Sequence, residues 1–360
     1  MKVIIDSISN VNYASFYIEG MRAVFGRKQV SFSSIEFKGL QDPYVNLRFI
    51  LDDGKKKYRC FIHTMDSNKV DDSMYEWCDV YGSVNANFTK YPKELYPKIV
   101  SLAPSFSVKC YRTLEAVLRA LRNFVDSYTS IVSRYRFNVF HGDYEIDRYK
   151  NVKAFFGDYY KNSTKRMGLE SYTSSNQVRD YYVFFMSTLW SSDEWNKNDV
   201  GVNLRRANFI RACKAIDGLE FDGGLLASNE KSNVLFEDCK VFEGVRMSEW
   251  IEKTKASSFV FNTPAFWDCH GWKLGEYLAL GKAIISTKLV NDLPSPLVHG
   301  QHIHYVSDDM SELQDLIRYM MSNRDYAMQL EAGAAHWWQN YGTPQQSINI
   351  LLKALFETRQ

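Results

Sequence analysis

Twice along this chain, apolar runs of strand length alternate with helix-length segments whose apolar residues recur every three or four positions. The two series are separated by the polar, hydroxyl-rich stretch 168–180. Such alternation buries strands under crossover helices on both faces of a parallel sheet. A chain of 360 residues is also long for one core,. The expectation is therefore α/β, with two doubly wound Rossmann-like domains, residues 1–172 and 173–360, and the last helix packing back on the first domain. Ligands of such sheets bind beyond the carboxyl ends of the strands, which points to a cleft between the domains.

In the first series, strands are expected at 3–6, 34–37, 46–51, 58–63, 78–81 and 98–102, with Asp52-Asp53-Gly54-Lys55 as a hairpin turn,. Helices are expected at 13–25 and 113–125, the latter with Leu114, Val117, Leu118, Leu121 and Val125 as one apolar stripe,. In the second series, strands are expected at 181–186, 224–227, 258–261, 283–286 and 302–306. Helices are expected at 204–216, with Phe209, Ile210, Cys213 and Ile216 inward, at 247–256 with Ser248 as cap, around 313–321, and at 347–356,.

The formal charge of +2 gives no footprint for nucleic acid,. The amino terminus, Met-Lys-Val-Ile-Ile-Asp, reads as a strand rather than a secretory signal, and no run approaches the roughly 18 apolar residues of a membrane span,. Six scattered cysteines without a Cys-x-x-Cys pair argue against a zinc site or disulfide framework,. The expected location is cytoplasmic, with peripheral contact at the inner face of a membrane left open.

Chemistry concentrates in Asp268-Cys-His-Gly-Trp-Lys-Leu-Gly-Glu276, followed by Tyr-Leu-Ala-Leu-Gly281-Lys-Ala-Ile-Ile-Ser286. Two carboxylates eight positions apart flank a glycine-containing turn that leads into a helix. Glu276, in the first turns of that helix, can accept two hydroxyl protons from a ribose. Gly271 and Gly275 leave room for close backbone approach, and the N–H groups at the helix start suit diphosphate or sugar hydroxyls. Asp268 then faces the transferred sugar. His270 either bonds a sugar hydroxyl or phosphate, or structures the loop. Lys273 either pairs with a phosphate or is solvated.

Together with Asn262-Thr-Pro264 and the downstream segment from His299 to Asp309, this stretch resembles the signature of GT-B-fold nucleotide-sugar glycosyltransferases. It is most similar to the large retaining family with a Glu-x7-Glu motif, here Asp268-x7-Glu276. Asp268 replaces the usual Glu, Ala283 replaces a Pro, and Ser7-Ile-Ser-Asn stands where a glycine-rich turn is usual.

The resemblance implies a GT-B architecture and a hexosyltransferase-type enzyme. Its donor would be a nucleotide-diphosphate sugar and its acceptor a hydroxyl of a glycan or lipid-linked molecule, in polysaccharide assembly. Anomeric configuration would be retained, without metal or cofactor. It places basic residues at the start of the second domain's first helix, here Arg205 and Arg206, to neutralise the departing phosphate; the alternative for either is plain surface charge. Ser187 and Thr188, in the loop after the preceding strand, are candidates for hydroxyl contacts to the same phosphates.

No Asp-x-Asp occurs, and His299, His302 and His304 have no carboxylate at ligand spacing, so no metal is expected,. On the acceptor side the candidates are His63, Asp66, His141 and Asp143. Rival readings are an inverting transferase using one of these as base, a nucleotide-sugar epimerase, and a non-catalytic sugar- or nucleotide-binding module.

Overall fold

The computed structural model describes residues 1–40, 43–131, 152–174, 178–190, 199–227 and 234–357. The chain divides into two compact units. One comprises Met1–Met65, Lys69–Leu169 and Thr343–Gln360, and the other comprises Asp66–Asn68 and Glu170–Gly342.

The first unit holds strands β1 (Lys2–Ile5), β2 (Val30–Phe32), β3 (Leu47–Asp52), β4 (Lys57–His63), β5 (Val80–Ser83) and β6 (Ile99–Ser101). They form one sheet in the order β2-β1-β3-β4-β5-β6. The β3–β4 pair is the expected hairpin. Gly54 sits at φ 86° in its turn, and the Asp52 and Asp53 carboxylates accept the turn's free N–H groups. This inserts β3 as an inverted strand between β1 and β4, so the sheet is mixed; the other neighbouring pairs run parallel.

Helices α1 (Val11–Phe25), α2 (Asp72–Trp77), α3 (Thr113–Ile131) and α4 (Val152–Lys165) belong to the same unit. Asn10 caps α1 by accepting from the Asn12 and Tyr13 N–H groups,. The final helix of the chain returns to pack on α1 at Gly20. A Cβ there would lie 2.1 Å from the Pro344 carbonyl oxygen.

Two expectations in this unit fail. Residues 35–37 form a single 3-10 turn, and the strand lies earlier, at Val30–Phe32. The apolar stripe of α3 faces away from the body of the unit. Leu114, Val117, Leu118, Leu121 and Val125 are between 49 and 73% exposed, while Ala116, Ala120, Asn123 and Ser127 are buried. Polar bonds fix this orientation: the Asn123 amide donates to the Tyr159 hydroxyl of α4, and the Asp126 carboxylate accepts from Ser7 Oγ and the Ser34 N–H.

The second unit holds β7 (Tyr182–Thr188), α5 (Asp199–Lys214), β8 (Glu220–Leu226), β9 (Lys240–Val241), α6 (Met247–Ala256) and β10 (Val260–Asn262). It continues with α7 (Trp272–Ala279), β11 (Ile284–Ser286), β12 (His304–Tyr305), α8 (Leu313–Ser322) and α9 (Arg324–Trp337); α10 (Pro344–Glu357) belongs to the first unit. Ser248 lies inside α6, whose cap position is Arg246.

Two parallel ladders, β7-β8-β9 and β10-β11-β12, meet along β7 and β10. The Ser258 N–H donates to the Tyr182 carbonyl at 2.8 Å where both strands begin. The resulting order, β9-β8-β7-β10-β11-β12, is the dinucleotide-binding order 3-2-1-4-5-6, which reverses between its first and fourth strands. Phe185 of β7, Phe209 of α5 and Phe261 of β10 fill the core at this reversal. The rings of Phe209 and Phe261 stack with centroids 4.3 Å apart.

Helix α7 ends as expected of a glycine stop. Gly281 takes φ 59° and donates to the Leu278 carbonyl, while Lys282 N–H donates to Tyr277, the paired bonds of a Schellman motif,.

Candidate functional site

The reversal point places the carboxyl ends of β7 and β10 side by side, and three charged side chains converge on them. Arg206 lies on α5 one turn before Phe209, so the packing of Phe209 and Ile210 carries it inward,. Its Nε donates to Thr263 Oγ1 at 3.2 Å and an Nη donates to the Thr188 carbonyl at 3.0 Å, so the guanidinium bridges the two strand ends. Lys273, second residue of α7, reaches Ser187 Oγ with its Nζ at 3.4 Å. Glu276 follows one turn later on the same helix and is buried,.

The three charges sense one another. Burial lowers the Lys273 ammonium below the ordinary lysine value, the like charge of Arg206 lowers it further, and Glu276 opposes both. Burial pushes Arg206 down to about 10. The Tyr277 hydroxyl is raised, first by burial and then by the Glu276 charge. A buried cation and a half-buried one thus stand together, the second beside a buried carboxylate. Such an arrangement receives an anion without a metal, and the carboxylate beside it offers acceptor oxygens to hydroxyls.

Ser187, Thr188, Arg206, Lys273 and Glu276 are therefore brought together. Thr263 and Tyr277 join them; both lie within the quoted motif segments, which assign neither of them a role. Arg205 does not join. It is half-buried, one position round the helix from Arg206, and shares none of these bonds.

Asp268 also stands apart. Trp267 and Asp268 both adopt left-handed backbone, φ 53° and 58°, which turns the chain between β10 and α7,. The Asp268 side chain is exposed, and its carbonyl accepts from the Asn291 side-chain amide at 3.0 Å. No bond among the described residues links its carboxylate to the cluster. His270 is buried against backbone groups of Asn291 and Asp292, and burial pushes its pKa down to about 4, so it is neutral at pH 7.

Gly271 caps α7, and a Cβ there would meet only the Ala265 Cβ of the chain itself, at an ordinary 3.8 Å. Gly275 is buried inside the helix.

Among the acceptor-side candidates, His63 ends β4 in a core against Phe61 and Tyr81. Burial pushes its pKa down to about 4, which suits a packed neutral ring rather than a base near pH 7,. Asp66 is exposed just beyond it. His141 and Asp143 lie outside the described residues. His299 and His302 accept backbone N–H groups at Nδ1, and His304 Nδ1 shares a hydrogen bond with the Tyr326 hydroxyl. An open groove on another face of α5, lined by Asn208, Arg211, Ala215, Met310 and Gln314, shares no residue with the cluster.

No protein-family model matches the chain, and no curated protein matches it in sequence. Among solved structures, a glycosyltransferase of Rickettsia africae is similar with a TM-score of 0.40 and 12% identity, covering 81% of this chain and 68% of that one. MnaA of S. aureus, in a structure with UDP, gives a TM-score of 0.38 at 13% identity, over 79% of this chain and 69% of its own. HepE of Anabaena in complex with UDP gives 0.38 at 10% identity, over 82% and 98%. At these levels the fold rests on the strand order of the two units, and the chemistry rests on the cluster where β7 and β10 end.

Proposed function

We propose that this chain is a glycosyltransferase that moves a sugar from a nucleotide-diphosphate donor to a hydroxyl of a glycan or lipid-linked acceptor. In this reading it retains anomeric configuration and uses neither metal nor cofactor. The carrying observation is the Arg206–Lys273–Glu276 group, its arginine and carboxylate buried and its lysine half-buried, at the reversal of a 3-2-1-4-5-6 strand order,.

Arg206 and Lys273 take up the charge that develops on the leaving diphosphate as the sugar–phosphate bond breaks. Ser187 and Thr188 supply hydroxyls beside them, and Glu276 accepts the ribose hydroxyl protons. The acceptor proton passes to a donor phosphate oxygen on the face that the leaving group vacates. Asp268, exposed before α7, is the sugar-side contact, and His270 holds its loop.

The test is a binding screen of nucleoside diphosphates and nucleotide sugars, followed by transfer assays with an acceptor panel in EDTA and NMR assignment of the product anomer. Transfer with retention in EDTA is expected. Absence of binding by every nucleotide refutes the reading. Donor interconversion without acceptor assigns an epimerase instead, and an inverted product removes the retaining mechanism.

A further inference from the structure

Between Thr113 and Ser127 the apolar face of α3 is turned to solvent, while Ala116, Ala120, Asn123 and Ser127 pack inward. From Leu114 to Val125 the stripe runs about 16 Å at the helical rise,. An isolated exposed leucine needs no explanation, but five aliphatic side chains in one row form a patch of the kind that marks an interaction surface.

The charges beside the row are sorted by sign. The acidic groups of α3 are engaged: Glu115 lies 3.9 Å from Arg27, and Asp126 is held by Ser7 and Ser34. The basic groups Arg112 and Arg122 are exposed and carry no ion pair among the described residues. Lys28 is exposed next to Arg27, in the turn that the Arg27–Glu115 pair sets beside the start of α3.

We infer that this face of α3 docks the first unit on an anionic lipid surface, the helix lying in the plane of the interface with its leucines and valines among the acyl chains. An aliphatic row flanked by unpaired cations is the composition that such interfacial helices use. No described helix is long and apolar enough to cross a membrane, so this is attachment at the surface. A second copy of the chain fits less well. The row offers roughly a few hundred Å² against the ~800 Å² per partner of a stable dimer, and pairing it with itself would bring unpaired arginines together.

The inference does not depend on the donor site, since nucleotide binding and vesicle binding are read separately. The test is flotation of the full chain with vesicles of phosphatidylcholine and phosphatidylglycerol, compared with phosphatidylcholine alone. It uses wild type, Leu118→Gln/Leu121→Gln and Arg112→Gln/Arg122→Gln, each checked by circular dichroism melting. Because these side chains are exposed, unchanged melting is expected.

Wild type should bind the anionic vesicles and bind neutral ones at least tenfold less. The leucine variant should lose binding about tenfold, and the arginine variant should lose its preference for anionic lipid. Failure of wild type to float, or equal flotation of the leucine variant, overturns the inference. So does a dimer in sedimentation equilibrium that the leucine variant abolishes, which assigns the face to a second copy. The six native cysteines are buried. Maleimide labelling of a Leu118→Cys variant therefore reads the stripe directly: rapid labelling that vesicles suppress is expected, and protection without vesicles means that the chain itself covers the row.

Discussion

Glu276→Gln separates the ribose from the phosphate half of the proposed donor site. The wild-type carboxylate can accept both hydroxyls of a ribose. Each such charge-assisted bond contributes about 1.5–3 kcal/mol, and glutamine keeps one neutral acceptor, so a loss of about 2–3 kcal/mol is expected. In binding terms this is a roughly 30- to 150-fold rise in Kd for a nucleoside diphosphate. Inorganic pyrophosphate has no ribose. Its affinity should hold or tighten, because Glu276 is the carboxylate whose charge acts on Lys273.

Isothermal titration of the variant with both ligands, alongside wild type, gives the two numbers. Thermal melting in parallel guards against a fold defect, since the substitution removes a buried carboxylate beside a half-buried cation,. An unchanged nucleoside diphosphate Kd refutes the ribose assignment. Equal losses for both ligands refute it as well, because Glu276 would then act by positioning Lys273.

Two other outcomes test the electrostatics and the packing. Lys273 titrates below an ordinary lysine, and a bound phosphate restores its proton, so donor affinity should fall as pH rises through the lowered value and binding should take up protons near pH 9 but not at pH 6,. Calorimetry in two buffers of different ionisation enthalpy reads this directly; no uptake at either pH means that Lys273 does not meet the phosphate. Gly20→Ala forces a methyl to 2.1 Å from the Pro344 carbonyl, so it should separate α1 from α10 and cost about 3 kcal/mol or more in urea unfolding,. A loss below about 0.5 kcal/mol would show that the helices shift apart freely.

Much of this arrangement is legible from periodicity. Residues 209, 210 and 213 mark the inward face of α5, and 206 lies three, four and seven positions before them. Arg205 lies four, five and eight positions before them, so spacing alone does not separate the two arginines; the structure does, with Arg206 buried and Arg205 half-buried. The β3–β4 hairpin and the Gly281 stop follow from local backbone chemistry, because Asp-Gly and a lone glycine after a helix supply the positive φ values required,.

What periodicity does not carry is direction. The row from Leu114 to Val125 identifies a helix correctly, but an apolar stripe does not name what it faces. Asn123, Ser127 and Asp126 turn the row outward through partners at Tyr159, Ser7 and Ser34, all distant in sequence. The spacing of two carboxylates likewise says nothing about the left-handed pair Trp267–Asp268, which turns the chain before α7 and leaves Asp268 exposed while Glu276 is buried.

The two units also show why the charged cluster, rather than any buried charge, carries the functional reading. In the first unit Arg48 and Asp6 are buried together at 2.5 Å, one cation to one anion, with the Ile8 N–H on the carboxylate as well. That pair closes its own charge and asks for nothing further. In the second unit the half-buried Lys273 stands beside the buried Arg206, whose charge acts on it against that of Glu276. Two cations held together away from bulk water cost stability that an anionic ligand would offset. On the proposed reading the leaving diphosphate supplies that anion, at strand ends where ligands of such sheets bind.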